Sequence, residues 1–137
     1  MATVDADRAW SEQALRALLD EWDDVRLRVT GDCMAPRLCD GDVVALRSTR
    51  RGCPRWGDVV LVRTPAGLRL HRVIWRGRGG ASWRTKGDHA PFSDGVIALD
   101  DILAVAPKKR HLAAALVSLL GLVAAGSLAR VIRAVRP

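Results

Sequence analysis

The sequence predicts a mainly β domain flanked by an N-terminal amphipathic helix and a C-terminal apolar helix. Three observations carry that prediction. Short runs alternate apolar and polar residues, glycine and proline turn signals separate them at close intervals, and a long uncharged run lies near the C-terminus. At 137 residues the chain has room for one core and one domain. It divides into a helical segment over 1–24, a β domain over 25–106 and an apolar, basic segment over 107–137.

The elements follow in order. Trp10, Ala14, Leu15, Leu18, Leu19 and Trp22 recur at helical spacing, predicting a short amphipathic helix over Ala9–Trp22. Val25, Leu27 and Val29 alternate with Arg26, Arg28 and Thr30, the pattern of a half-buried strand running directly into Gly31. Further short strands are predicted at Asp42–Arg47, Asp58–Arg63, Leu68–Trp75, Ala81–Thr85 and Ile102–Ala106. Arg51-Gly52-Cys53-Pro54, Thr64-Pro65-Ala66-Gly67 and Gly77-Arg78-Gly79-Gly80 mark turns between them.

From Leu112 to Ala129 no charged residue occurs, with Lys108-Lys109-Arg110 before the run and Arg130, Arg133 and Arg136 after it. This is about the shortest run that can span a bilayer. Its alanines, with Ser118, Gly121, Gly126 and Ser127, weaken insertion. The segment is therefore expected either to span or to lie in the membrane interface, with packing on the protein's own body as a third reading. A membrane-associated protein at a bacterial cytoplasmic membrane is expected, the side facing the β domain being left open; the bias to arginine over lysine fits a GC-rich bacterial genome.

The formal net charge is +7, and Lys86, Lys108 and Lys109 are the only lysines. Such a balance suits anionic lipid heads or nucleic acid. However, the tryptophans are dispersed without basic–aromatic interleaving, no helix-turn-helix precedes the β region, and the acidic N-terminal segment would repel phosphate. No nucleic-acid partner is expected. Three cysteines, an odd number, argue against a secreted disulfide framework. No Cys-x-x-Cys or His-x-x-His spacing suggests zinc, and Arg76–Gly80 lacks the spacing of a phosphate-binding loop, so neither metal nor cofactor is expected. Met1–Asp24 is acidic and polar, without the pattern of a cleavable signal peptide.

The residues able to carry chemistry are gathered in Gly31-Asp32-Cys33-Met34-Ala35-Pro36, Gly41-Asp42, Gly57-Asp58, His71-Arg72-Val73-Ile74 and Thr85-Lys86-Gly87-Asp88, followed by Asp94. In this order the boxes resemble the signal peptidase I family, in particular its histidine-type subset. Cys33-Met34-Ala35-Pro36 and Gly41-Asp42 stand where that family has Ser-Met-x-Pro followed by Gly-Asp. Gly57-Asp58 precedes a strand, His71–Ile74 matches the histidine box, and Thr85–Asp88 with Asp94 matches the final one. The resemblance covers about Val25 to Ala106 and implies a signal-peptidase-like β core.

It also implies an endopeptidase that matures secreted or membrane-bound precursor peptides with small side chains at the cleavage site. Cys33 would be the nucleophile, His71 the general base, and Asp94 the group fixing the imidazole tautomer. A thiol beside an imidazole ionises readily, so cysteine in the serine position is compatible with attack on an amide. The backbone N–H of Cys33 is the natural first oxyanion donor, with Met34 and Pro36 placed at the substrate and oxyanion side. Gly41, Asp42 and Asp88 are expected to be structural.

Two departures are notable. Gly31 stands where many relatives carry a hydroxyl that donates to the oxyanion, and Asp32 opposes thiolate formation if its carboxylate faces the sulfur. The lost hydroxyl and the replacement of serine by Cys33 motivate the rival expectation of an inactive relative that uses the groove to bind a peptide or a protein. Cys39, Cys53, His89 and His111 are expected to play no chemical part.

Overall fold

The computed structural model describes residues 2–5 and 11–108. The predicted C-terminal apolar helix, and Trp10 at the head of the predicted N-terminal helix, lie outside the described residues. The elements are β1 (Ala2–Asp5), α1 (Glu12–Glu21), β2 (Val25–Arg28), β3 (Val43–Ser48), β4 (Val59–Thr64), β5 (Gly67–Arg76), β6 (Ser82–Lys86), β7 (Ile97–Ala98) and β8 (Ile102–Ala106). They form one sheet in the order β1-β2-β3-β8-β4-β5-β6-β7. Every pairing is antiparallel except the parallel β1–β2 pair. The fold is thus mainly β with a single α-helix among the described residues.

The helix is shorter than its apolar pattern suggested. Ser11 caps it by accepting a hydrogen bond from the Ala14 N–H at 3.2 Å, and Trp22 has already turned extended. Leu15 and Leu19, each 2 % exposed, carry its buried stripe onto the sheet.

The sheet is covered on both faces. On one, Leu15, Leu19, Val25, Leu27, Met34, Leu46, Leu61, Leu70 and Leu103 form the larger core cluster. On the other, Val60, Val62, Val73, Trp83 and Ile102 form a second. Burial on both faces is why β4 reads as an unbroken Val59-Val60-Leu61-Val62 rather than an alternation. Trp83 fills the second cluster completely, satisfying its indole N–H on the Gly80 carbonyl at 2.9 Å.

The two Gly-Asp boxes have one local structure. Gly41 and Gly57 adopt φ of +85° and +82°, which a glycine reaches at no steric cost. The Asp42 carboxylate accepts the Cys39 N–H at 2.8 Å, and the Asp58 carboxylate accepts the Arg55 N–H at 2.8 Å. The first turn then bonds to the residue just past β2 and the second to the interior of β5. Gly41 donates to the Val29 carbonyl and Gly57 to the Val73 carbonyl, both at 2.8 Å. These boxes are turn closures that deliver the chain into β3 and β4.

β5 is the longest strand, and its two edges differ. It pairs with β4 over residues 67–72, but with β6 only from Arg72 onward, with a register shift between Val73 and Trp75. Val73 exchanges hydrogen bonds with Gly57 and Asp58. By the alternation of an antiparallel ladder, Arg69 and His71 then bond toward β4, while Leu68 and Leu70 direct their N–H and C=O groups to the opposite edge. That edge has no partner strand among the described residues.

Candidate active site

Cys33 lies on the loop between β2 and β3. The loop is closed at its base by the Val29 N–H on the Asp42 carbonyl at 2.7 Å and higher up by the Gly31 N–H on the Asp40 carboxylate at 2.9 Å. Met34, 1 % exposed, anchors it in the larger core cluster. Its side chain is therefore part of the core and not of a substrate surface, while Pro36 is exposed. The Cys33 carbonyl accepts the His89 N–H at 2.9 Å, tying this loop to the one after β6.

The Cys33 thiol is half-buried and donates to the Leu70 carbonyl at 3.7 Å, on the open edge of β5. Burial pushes the thiol up from its ordinary value. The Arg69 guanidinium works against this, the Asp32 and Asp94 carboxylates add to it, and the thiol's own backbone N–H favours the thiolate. Asp32 thus acts in the direction its position suggested.

His71 is buried, on the face of β5 opposite Leu70. Its Nδ1 pairs with Asp94 Oδ2. A carboxylate can only accept, so Nδ1 carries the proton and Nε2 is left as the basic nitrogen. Asp94 is held at both ends, its Oδ2 accepting from the Thr85 hydroxyl at 2.6 Å and its N–H donating to the Thr85 carbonyl at 2.9 Å. Thr85 itself is fully buried.

Gly87 lies between the two halves of the site. A Cβ there would stand 2.6 Å from the Cys33 carbonyl oxygen and 3.2 Å from His71 Nε2. The next residue, Asp88, makes a two-pronged pair with Arg72, with Nε to Oδ1 at 2.8 Å and Nη2 to Oδ2 at 2.6 Å, while Arg72 Nη1 donates to the Gly57 carbonyl at 2.8 Å. The Arg72 hydrogen bonds hold the Asp88 carboxyl below the usual carboxylate range.

The structure therefore hydrogen-bonds His71 to Asp94 and brings the Cys33 backbone against the same glycine as the imidazole, while the thiol hydrogen is held by Leu70 and not by His71. Gly41, Asp42 and Asp88 sit in turn closures and an ion pair. Thr85, Gly87 and Arg72 are site residues that sequence reasoning did not single out. Their signal was membership of the Thr85–Asp88 and His71–Ile74 boxes.

Chemically, the arrangement offers an oriented imidazole with Nε2 as its basic nitrogen, a thiol held on the Leu70 carbonyl, and the Cys33 N–H beside the sulfur. Among the described residues no cluster of His, Cys, Asp and Glu is suited to hold a metal ion. Compared with known proteins, the chain matches no family model and no curated protein sequence.

Proposed function

We propose that the chain is a membrane-associated endopeptidase of the signal-peptidase type, with a signal-peptidase-like β core, that matures precursor peptides through Cys33, His71 and Asp94. One observation carries the reading: the Thr85–Asp94–His71 hydrogen-bonded series presents Nε2 toward the Cys33 loop, beside a strand edge with no partner strand among the described residues. The order of the short motifs supports it, and the uncharged run Leu112–Ala129 supports attachment to a membrane.

An extended peptide adding to the open edge of β5 would bond to Leu68 and Leu70. In doing so it would compete with the thiol for the Leu70 carbonyl. Released from that carbonyl, Cys33 turns toward Nε2, gives its proton to the imidazole and attacks the scissile carbonyl carbon. The Cys33 N–H donates to the oxygen that becomes negative. The imidazolium, stabilised by Asp94, then protonates the departing amine as the C–N bond breaks, leaving a thioester on Cys33. His71 next deprotonates a water that attacks the thioester, and the thiol leaves with the proton.

A second reading is favoured by the thiol's hydrogen bond to Leu70 and its raised pKa: a non-catalytic module that binds peptides at the same edge. One experiment separates the two. Alkylation of Cys33, Cys39 and Cys53 is followed against pH by peptide mass in wild type and His71→Ala, alongside cleavage of small-residue peptides by the full chain. The endopeptidase requires Cys33 to react fastest below about pH 7, to lose that advantage without His71, and to turn over peptide. A Cys33 that behaves as an ordinary thiol of pKa about 8.5, in a chain that binds but does not cleave, establishes the binding module.

A further inference from the structure

Several arginines around the sheet are already committed. Arg16, Arg47, Arg50, Arg51, Arg63 and Arg72 each pair with a carboxylate. Arg69 does not: it is exposed, and no carboxylate pairs with it among the described residues. Its place is unusual for a free cation. It is two residues before His71 on β5, so both side chains leave the same face of the strand. It also adjoins Leu70, whose carbonyl holds the Cys33 thiol. Its charge reaches the sulfur, where it opposes the effect of burial.

We propose that Arg69 is a specificity residue that selects peptides carrying a carboxylate next to the backbone presented to Cys33. This rests on the peptide-binding reading of the β5 edge. A strand laid along that edge passes Arg69 one residue from Leu70, and a guanidinium recognises a carboxylate by two parallel hydrogen bonds. Asp32 lies on the other side of the balance: its carboxylate also acts on the sulfur, so an acidic ligand is favoured only on the Arg69 side. The carboxylate belongs either to an internal acidic side chain or to the peptide's own C-terminus.

The test uses the full chain at low salt and needs no turnover. Rates of Cys33 alkylation are measured with iodoacetate, an anion, and with iodoacetamide, its neutral counterpart. Changes in the thiolate fraction scale both rates equally, so their ratio reports only local charge. Arg69→Gln, at an exposed position, is expected to lower the ratio about threefold to tenfold, and Arg69→Lys to retain most of it. Four matched peptides, with Glu or Gln at the centre and a free or amidated C-terminus, are then used to protect Cys33 from iodoacetamide. A carboxylate-bearing peptide should protect wild type at about tenfold lower concentration than the uncharged one, and Arg69→Gln should erase the difference. Which peptide gains identifies the source of the carboxylate. A ratio unchanged by Arg69→Gln, or protection indifferent to charge, overturns the proposal. Absence of cleavage in a chain that still shows charge-dependent protection refutes the endopeptidase and leaves the Arg69 assignment standing.

Discussion

Gly87→Ala is the sharpest structural test of the site. The added Cβ would lie 2.6 Å from the Cys33 carbonyl oxygen, a backbone atom that cannot rotate away, and 3.2 Å from both His71 Nε2 and the Ala90 Cβ. Reaching ordinary van der Waals distance from the carbonyl requires the Cys33 and Gly87 backbones to part by most of an ångström. That motion pulls directly on the 2.9 Å hydrogen bond from the His89 N–H to the same carbonyl. Overpacking of this kind costs about 1–3 kcal/mol, and a lost hydrogen bond adds about 0.5–1.5 kcal/mol. The expected total is about 2–4 kcal/mol. At about 4–8 °C per kcal/mol for a domain of this size, Tm should fall by roughly 10–30 °C in calorimetry. The same separation should draw Cys33 away from His71, so any His71-dependent alkylation of Cys33 should disappear even well below Tm. A fall of under about 3 °C, with Cys33 reactivity intact, would refute the close seam between the two loops.

Three further outcomes are expected. Asp88 has a folded pKa depressed by Arg72, so its contribution to stability is present in full above its unfolded pKa of about 3.9 and is lost as pH falls through the lower folded value. Asp88→Asn should flatten part of the acid limb of Tm against pH below about pH 4, with the remainder carried by Glu12 and Asp101, also depressed by arginine neighbours. Thr85→Val keeps the buried shape but removes a donor from Asp94; a loss of about 1.5–3 kcal/mol in urea unfolding is expected, and an unchanged midpoint would show that the hydroxyl does not support the carboxylate. Leu19→Ala, at a residue 2 % exposed beneath the helix, should cost about 2–5 kcal/mol in the same assay while leaving Cys33 alkylation unchanged under native conditions.

The strands were legible where alternation or unbroken apolar runs met turn residues. The predicted strand at Ile102–Ala106 is β8 residue for residue, and the one at Leu68–Trp75 is β5 less a residue at each end. Two strands left no such trace. β1 is a four-residue strand paired in parallel to β2, and β7 is a two-residue bridge to Ser82 and Trp83, so neither has enough residues to show a period. Within the site, the pairing of His71 with Asp94 was expected only through the resemblance, from the order of the short motifs, since Asp88 lies close by and offers the same carboxylate. The thiol's bond to Leu70 was not legible, because it depends on which edge of β5 lacks a partner, and that is a property of the whole sheet. Thr85 was equally hidden, since a threonine in a strand ordinarily signals β propensity rather than a hydrogen bond to a distant aspartate.

The position of β8 has a consequence for the order in which the molecule is made. Synthesis proceeds from the N-terminus, yet the strand that joins β3 to β4 is the last one described, pairing Arg47 and Ser48 on one side and Val59–Val62 on the other. Until Ile102–Ala106 has left the ribosome, the β1–β3 portion that leads into the Cys33 loop and the β4–β7 portion bearing His71 are two half-sheets with facing unpaired edges. Thiol and imidazole therefore share one continuous sheet only once Ile102–Ala106 has been made, and before that the Cys33 loop can meet the β4–β7 portion only through its own contacts with Leu70 and His89.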